Sequence, residues 1–593
     1  MNQNNRFRKQ RMALGLLMIC LLAAQIVLPV NVMAQEQNAG GVQEIGSRIE
    51  QYVTEHADTT AGMSVSVFNG DEILYQNCFG YIDVQNENPV TEDTVMEWGS
   101  VSKLLVWISV MQLVEQGKID LEADINMYLP ENFLQNRAYD APVTMLNLMN
   151  HNAGFEESVV GMATGREERI IPLEEFLRTV QPRQVFEPGA VCAYSNWSTT
   201  LAAYIVERVS GMSYDEYVRK NIFEPLGMND SSIRADVSDH AGVKERRMQL
   251  KIYTGDVKEI TPNMSYIVMY PAGMCISTIG DMQKFAQSLL SEDTVLFQKK
   301  ETYQQLFTPS LYFGETETPR IYHGFWAIEA YGENVIGHSG NTAGCSSSLF
   351  LDLENHTGIV VMTNQYGEEI YCHRMPELLF GPYEGTASGY TGMAMAARTI
   401  FHGPLKLYRL FSVSEFVQED PPVSFDVRTD ADGIDRISCP YGDYLVVGFG
   451  DIAPDLIVLG LYVLSLAFCL IQIVRCLIMG LVSRIRHKKD KKPMRLWCTA
   501  GLLLPFVPAA VFALMIPTLF NFHQWTHLGY QAALFVVFAA ALAMAGMIVS
   551  GIVRFRANPM KKSRKGYISA VGVCMALTIV NIIYWDWGMF WMI

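Results

Sequence analysis

Four apolar stretches close the chain, near residues 456–478, 496–519, 529–551 and 567–585. Each is long enough to cross the ~30 Å hydrocarbon core of a bilayer as a helix. Inside lipid every backbone polar group must be satisfied internally, so such runs leave few folds open. Their connections differ in charge. Arg484, Arg486, Lys488, Lys489, Lys491, Lys492 and Arg495 lie between the first and second stretches. Arg554, Arg556, Lys561, Lys562, Arg564 and Lys565 lie between the third and fourth, whereas residues 521–528 hold no Lys or Arg. Lys and Arg gather in cytoplasmic loops, so both basic loops are expected inside. The residues before the first stretch, and the tail Tyr584-Trp585-Asp586-Trp587, are then expected outside. Within the stretches ionisable groups are almost absent; Asp455 and Arg475 fall near the two ends of the first. Transport paths need intramembrane polar groups, so anchoring in the bilayer is the expectation.

The beginning of the chain carries an export signature. Arg6, Arg8, Lys9 and Arg11 form a basic head, Met12 to Pro29 is nearly all apolar, and Val32-Met33-Ala34 has a small-residue ending. Residues 1–34 read as a signal peptide with Gln35 as the first mature residue; the alternative is an uncleaved anchor, and either one exports the residues from Gln35 to the first apolar stretch. The whole chain of 593 residues has a net charge of −16, but residues 35–452 hold 27 of the 45 basic and 58 of the 61 acidic residues, a balance of −31. A segment so acidic is repelled by nucleic acid, and no nucleic-acid partner is expected. Its six cysteines, Cys78, Cys192, Cys275, Cys345, Cys372 and Cys439, have no metal-like spacing. They read as small buried hydrophobes; an extracytoplasmic location permits disulfides, but spacing gives no pairing.

Met63, Val65 and Val67 alternate with Ser64, Ser66 and Phe68, Asn69-Gly70 comes next, and Ile73-Leu74-Tyr75 resumes the apolar pattern: a hairpin. Ser348 to Leu353 and Ile359 to Thr363 read as a second strand pair. Helical periodicity lies between, at Leu104 to Glu115 before Gly117, Ser198 to Val209 before Gly211, and Asp281 to Leu290 with an acidic cap. Strands early and late with helices between imply an α+β domain: an antiparallel sheet whose ends meet, with a mostly helical part inserted. The domain is expected over 35–380, a linker or small satellite unit over 381–452, and the membrane region over 453–593.

Chemistry enters at Trp98-Gly99-Ser100-Val101-Ser102-Lys103, directly before an apolar helical run. Residues three apart rise from the same helix face. A serine hydroxyl alone attacks poorly; a desolvated, neutral lysine amine takes its proton, and N–H groups at a helix start stabilise the oxyanion. The bland alternatives are a capping serine and a solvated lysine.

Further elements occur in order. Phe79-Gly80-Tyr81-Ile82-Asp83 and Pro89-Val90-Thr91-Glu92-Asp93-Thr94 precede the serine. Leu148-Met149-Asn150-His151-Asn152-Ala153-Gly154, Phe186-Glu187-Pro188-Gly189, Tyr194-Ser195-Asn196, Pro225-Leu226-Gly227-Met228, Ala272-Gly273-Met274 and Gly337-His338-Ser339-Gly340 come after it. Over about residues 45–380 this series resembles the serine beta-lactamase and penicillin-binding-protein superfamily. The nearest branch is the class C-like one, which includes D-aminopeptidases, carboxylesterases and membrane-linked serine hydrolases. The resemblance implies a beta-lactamase/transpeptidase-like domain. It implies that Ser100 is the nucleophile and half of an oxyanion hole, and that Lys103 is the base. Tyr194 would share the proton traffic and protonate the leaving group. Asn196 would hold Lys103 and contact a substrate amide. His338, Ser339 and Gly340 would line the cleft on an edge strand, with Asn341 N–H as the second oxyanion donor. Many relatives carry lysine where this chain has His338. A histidine is mostly neutral above about pH 6.5, so strong carboxylate recognition and efficient beta-lactam turnover are not expected. His151 resembles a structural position of the branch and is not taken as a triad member. No phosphate loop, His-Glu metal pair or dinucleotide fingerprint occurs in the sequence, and neither metal nor cofactor is expected. The function implied is a membrane-anchored extracytoplasmic serine hydrolase of esters or amides, D-amino-acid cell-wall peptides among them, with no obligate protein partner. The alternatives are a beta-lactamase, a sensor of beta-lactams or wall peptides, and a non-catalytic peptidoglycan-binding scaffold. Intact Ser100, Lys103 and Tyr194 weigh against the scaffold.

Overall fold

A computed structural model of the chain describes residues 42–590 except 158–160, 315, 329–330, 332–333, 383–389, 399–405, 417–425, 430–434, 486–491, 521–526 and 558–561. The expected export signal, 1–34, lies outside the described residues. The chain forms two compact units, one comprising residues up to Arg398 together with Phe411–Val446, the other Val447 onward together with the segment ending at Leu410.

The first unit is organised by a nine-stranded antiparallel sheet. In space its strands run Asn88–Pro89, Ile73–Asp83, Gly62–Asn69, Thr357–Thr363, Ser346–Asp352, Val335–Asn341, Phe325–Ala327, Pro319–Tyr322 and Leu311–Tyr312. The first hairpin turns because the Asn69 side chain accepts the N–H groups of Asp71 and Glu72 at 2.9 and 2.8 Å. Gly62–Asn69 also pairs with Thr357–Thr363, with Val65 opposite Val361, so the ends of the sequence pattern meet as the alternation implied. Both faces of the sheet are buried. Ile359 and Val361 enter one core with Ile45, Ile49 and Val53 of the helix Val42–Glu55; Val360 and Met362 enter the other.

That second core surrounds the helix Lys103–Glu115, in which every residue from Lys103 to Leu113 is buried. A helix apolar all round belongs in a core. The helix Asn196–Ser210 packs against it and stops at Gly211, whose φ of +76° is the left-handed cap that favours glycine. The helix expected from Asp281 instead spans Ile279–Ser288 and is capped by Thr278, whose hydroxyl accepts Asp281 N–H at 3.3 Å. The Asp281 carboxylate turns inward and accepts Asp230 N–H at 2.7 Å and the Ser231 hydroxyl at 2.9 Å.

Five further strands build a second sheet in the same unit, ordered Val413–Phe416, Gly392–Ala396, Gly442–Val446, Asp435–Cys439, Asp426–Thr429. It is fastened to the first by Asp443, which is almost wholly buried. Its carboxylate accepts from Arg320 at 2.7 Å and from Cys192 N–H at 2.9 Å, its own N–H donates to Cys192 O at 2.7 Å, and Ala193 bridges Gly442.

Among the described residues the second unit holds four helical spans long and apolar enough to cross a membrane: Phe449–Met479, Trp497–Met515, Leu528–Val553 and Lys565–Tyr584. The stretch expected as one segment over 496–519 is two helices, Lys492–Leu503 and Phe506–Phe520, broken at Leu504-Pro505. Proline lacks the N–H a continuous helix needs; Tyr462 donates its hydroxyl to the Pro505 carbonyl at 2.9 Å. Asp455 is paired with Arg409 at 2.9 Å and accepts the Tyr584 hydroxyl. The ten described cysteines are free thiols.

Candidate active site

The chain enters the site through Gly99, whose φ is +52° and whose place a side chain cannot take: a Cβ there would lie 2.6 Å from Asn341 N. Gly99–Ser102 is a single 3-10 turn that runs into the helix Lys103–Glu115. Ser102 serves the turn, donating to Gly99 O at 2.7 Å and accepting Cys275 N–H at 3.0 Å. Ser100 is left half-exposed at the tip.

Lys103 is fully buried. Its amine lies 3.0 Å from Ser100 Oγ and 2.7 Å from the Ala272 carbonyl. Burial first, and then the Arg398 cation, hold the amine well below the ordinary lysine range; the Glu157 carboxylate opposes them. The lysine expected from sequence is therefore placed beside the serine, with its amine held well below the ordinary lysine range.

Tyr194 precedes the helix Asn196–Ser210, which Ser195 caps by accepting Ser198 N–H at 3.0 Å. Its ring centre is 4.8 Å from Lys103 Nζ. Burial raises the phenol, against Ser100 and Arg398. The tyrosine is thus protonated at neutral pH.

Asn196 departs from expectation. Its N–H and side-chain amide donate to the Glu157 carboxylate at 3.2 and 3.3 Å, while both hydrogen bonds of Lys103 go to Ser100 and Ala272. The hold on Lys103 expected of Asn196 is not made. Glu157 is almost fully buried, which raises its carboxyl against the pull of Arg398 and the Asn196 bonds.

The opposite wall is the strand Val335–Asn341. It pairs along its length with Ser346–Asp352, but Phe325–Ala327 meets only Ile336 and Gly337, so His338, Ser339, Gly340 and Asn341 present an open edge. Gly340 is required there: a Cβ would lie 2.1 Å from Trp98 O and 2.7 Å from Ser100 N. The Ser100 and Asn341 N–H groups accordingly belong to segments in van der Waals contact. The Asn341 side chain accepts the Ser346 hydroxyl at 2.6 Å. His338 is buried and donates through Nδ1 to Ser339 O at 2.5 Å, which leaves Nε2 as an acceptor without a protein partner. Burial, and then Lys103, push its pKa down to about 3, so it carries no charge at neutral pH.

His151 lies behind the site. Its ring stacks on Trp326 at 5.5 Å and contacts Tyr194 at 4.6 Å, and its Nδ1 accepts Ser195 N–H at 3.3 Å. It supports the tyrosine loop and does not reach Ser100. Three charged side chains complete the surroundings without any sequence signal of their own. Glu157 lies outside any described helix or strand, Arg398 lies past the strand Gly392–Ala396, and Asp443 lies inside the strand Gly442–Val446. Among the described residues no group of three or more His, Cys, Asp or Glu is placed to hold a metal ion.

Comparison with known proteins gives consistent matches. The family model described as Beta-lactamase matches residues 49–374. Penicillin-binding protein 4* of Bacillus subtilis (strain 168) is 25% identical over 346 residues, 54% of this chain and 73% of that protein. The putative penicillin-binding protein PbpX of the same strain is 27% identical over 319 residues, 51% of this chain and 74% of that protein. The D-alanyl-D-alanine-carboxypeptidase/endopeptidase AmpH of Escherichia coli (strain K12) is 25% identical over 236 residues, 39% of this chain and 58% of that protein.

Proposed function

The chain belongs to the beta-lactamase family, a family of serine hydrolases, and from that premise we propose that it is a membrane-anchored, extracytoplasmic hydrolase that cleaves an ester or amide through an acyl-enzyme on Ser100. The substrates it fits include D-amino-acid peptides of the cell wall. The observation that carries this reading is the buried Lys103 amine 3.0 Å from Ser100 Oγ. Lys103 takes the hydroxyl proton as Ser100 Oγ adds to the substrate carbonyl. The Ser100 and Asn341 N–H groups receive the oxyanion. Tyr194 delivers a proton to the leaving group as its bond to the carbonyl carbon breaks, and is reprotonated by way of Lys103. Water then adds to the acyl ester, with the same groups moving its proton, and frees Ser100.

The test is covalent. A fluorophosphonate adds one adduct to the wild-type protein and none to Ser100→Ala, read by intact mass; a folded wild type that never gains the adduct overturns the reading.

The orientation rests on the charge of the connecting loops. In intact cells an impermeant maleimide labels a cysteine placed at the exposed Asn355 and leaves one at Asp490 unlabelled. Labelling of the second from outside reverses the topology.

A further inference from the structure

The second sheet reaches the site at one side chain. Ala397, almost fully buried against Val191 and Ala193, donates its N–H to Asp443 O at 2.8 Å. Arg398 is the next residue. Its guanidinium carbon lies 4.7 Å from the centre of the Tyr194 ring, and the same ring centre lies 4.8 Å from the Lys103 amine that meets Ser100. The placement is built by the sheet: Asp443 ties the Ala397 backbone on one side and the Cys192 backbone, just before Tyr194, on the other.

Among the described residues no hydrogen bond ties up the guanidinium. Among the described residues its ion-pair partner is Glu157, and their 3.8 Å separation exceeds hydrogen-bond length. Both Glu157 oxygens are already taken by Asn196. The Arg398 side chain is 47% exposed, so much of its five-donor fork faces solvent beside the cleft. Its charge is permanent. The other two basic groups here, Lys103 and His338, are both driven toward neutrality by burial. Arg398 is thus the fixed positive charge of the site, within a segment that is otherwise strongly acidic.

We propose that Arg398 determines specificity by binding a carboxylate on the leaving-group side of the substrate, which makes the preferred substrates acyl compounds with an anionic leaving group. This rests on the acyl-enzyme reading of Ser100. The side is set by Tyr194: the ring that donates to the leaving group is the ring on which Arg398 stacks. The expectation against carboxylate recognition rests on the cleft strand alone, where His338 is indeed uncharged. The charge is supplied instead from the second sheet, which matches carboxylate geometry with a planar fork.

The experiment uses the full-length protein in detergent and two N-acetyl-D-alanyl thioesters, of thioglycolate and of thioglycolamide, which differ only in the leaving group's carboxylate. Thiol release reads cleavage. Loss of one charge-assisted contact predicts that Arg398→Ala lowers the ratio of kcat/KM for thioglycolate over thioglycolamide roughly 10- to 100-fold, mainly through KM, and that Arg398→Lys restores part of it. An unchanged ratio, with both substrates slowed alike, overturns the proposal and leaves the serine mechanism standing. Thioglycolate cleavage that persists in Ser100→Ala overturns both.

Discussion

Replacing Lys103 by alanine slows acylation of Ser100 roughly 100- to 10,000-fold, the range of a lost general base, and removes the acidic limb of the pH–rate profile. In the wild type the rate falls as pH drops through the lowered lysine pKa, because the protonated amine has no lone pair for the serine proton. The alanine variant has no such group to titrate. The same burial has an opposite effect on stability. Unfolded lysine titrates near ~10.4, whereas the folded amine is held well below that by desolvation and by Arg398. Between those values the unfolded chain binds a proton that the folded one does not, so wild-type stability rises with pH across the window. Lys103→Met, which keeps the volume and drops the amine, therefore melts higher than wild type at pH 7, and its advantage shrinks as pH approaches ~10.4. Thermal scans at the two pH values check this. An advantage that grows with pH, or an acid limb that survives in Lys103→Ala, contradicts a neutral buried base.

Asp443→Ala destabilises the first unit by about 3–5 kcal/mol, because it leaves Arg320 buried without its carboxylate. Both partners are almost wholly buried, and Arg428 approaches the same carboxylate at 3.4 Å. The loss also reaches catalysis, since the Cys192 N–H that Asp443 accepts lies just before Ala193 and Tyr194. Denaturant unfolding and kcat should both fall. Replacing the pair together, Arg320→Met with Asp443→Leu, recovers most of the stability because no buried charge is stranded. An Asp443→Ala protein as stable as wild type would show that the pair does not fasten the second sheet.

What could be read from the sequence and what could not separate along a physical line. The strand alternation at Met63, Val65 and Val67, the glycine stop at Gly211 and the Ser100–Lys103 spacing are local patterns, with periods set by backbone geometry alone. The family is legible in the order of such patterns along the chain. Glu157 has no local signature: it sits next to Glu156, and a pair of acidic residues reads as solvated surface until tertiary packing buries it. Arg398 comes after a Gly-rich stretch with the composition of a linker, and its strand, Gly392–Ala396, is five residues long. The break at Pro505 did have a local signal, the proline itself, but the apolar run around it masks the boundary. Thr278 took the capping role expected of Asp281 because a hydroxyl one turn earlier was available and the carboxylate had better donors inside.

The unit that carries the site is interrupted in sequence, and synthesis has a direction. Residues through Phe380 emerge first and contain every strand of the nine-stranded sheet, with Ser100 and Lys103 among them. Ser100 and Lys103 are thus made well before Asp443. The strand Gly442–Val446, which backs both Ala397 and the tyrosine loop, is completed only as the first long apolar helix begins at Phe449. The cleft is therefore completed along the chain only as the first long apolar helix is produced, and a chain broken off before residue 442 keeps Ser100 and Lys103 but loses the support beneath Tyr194.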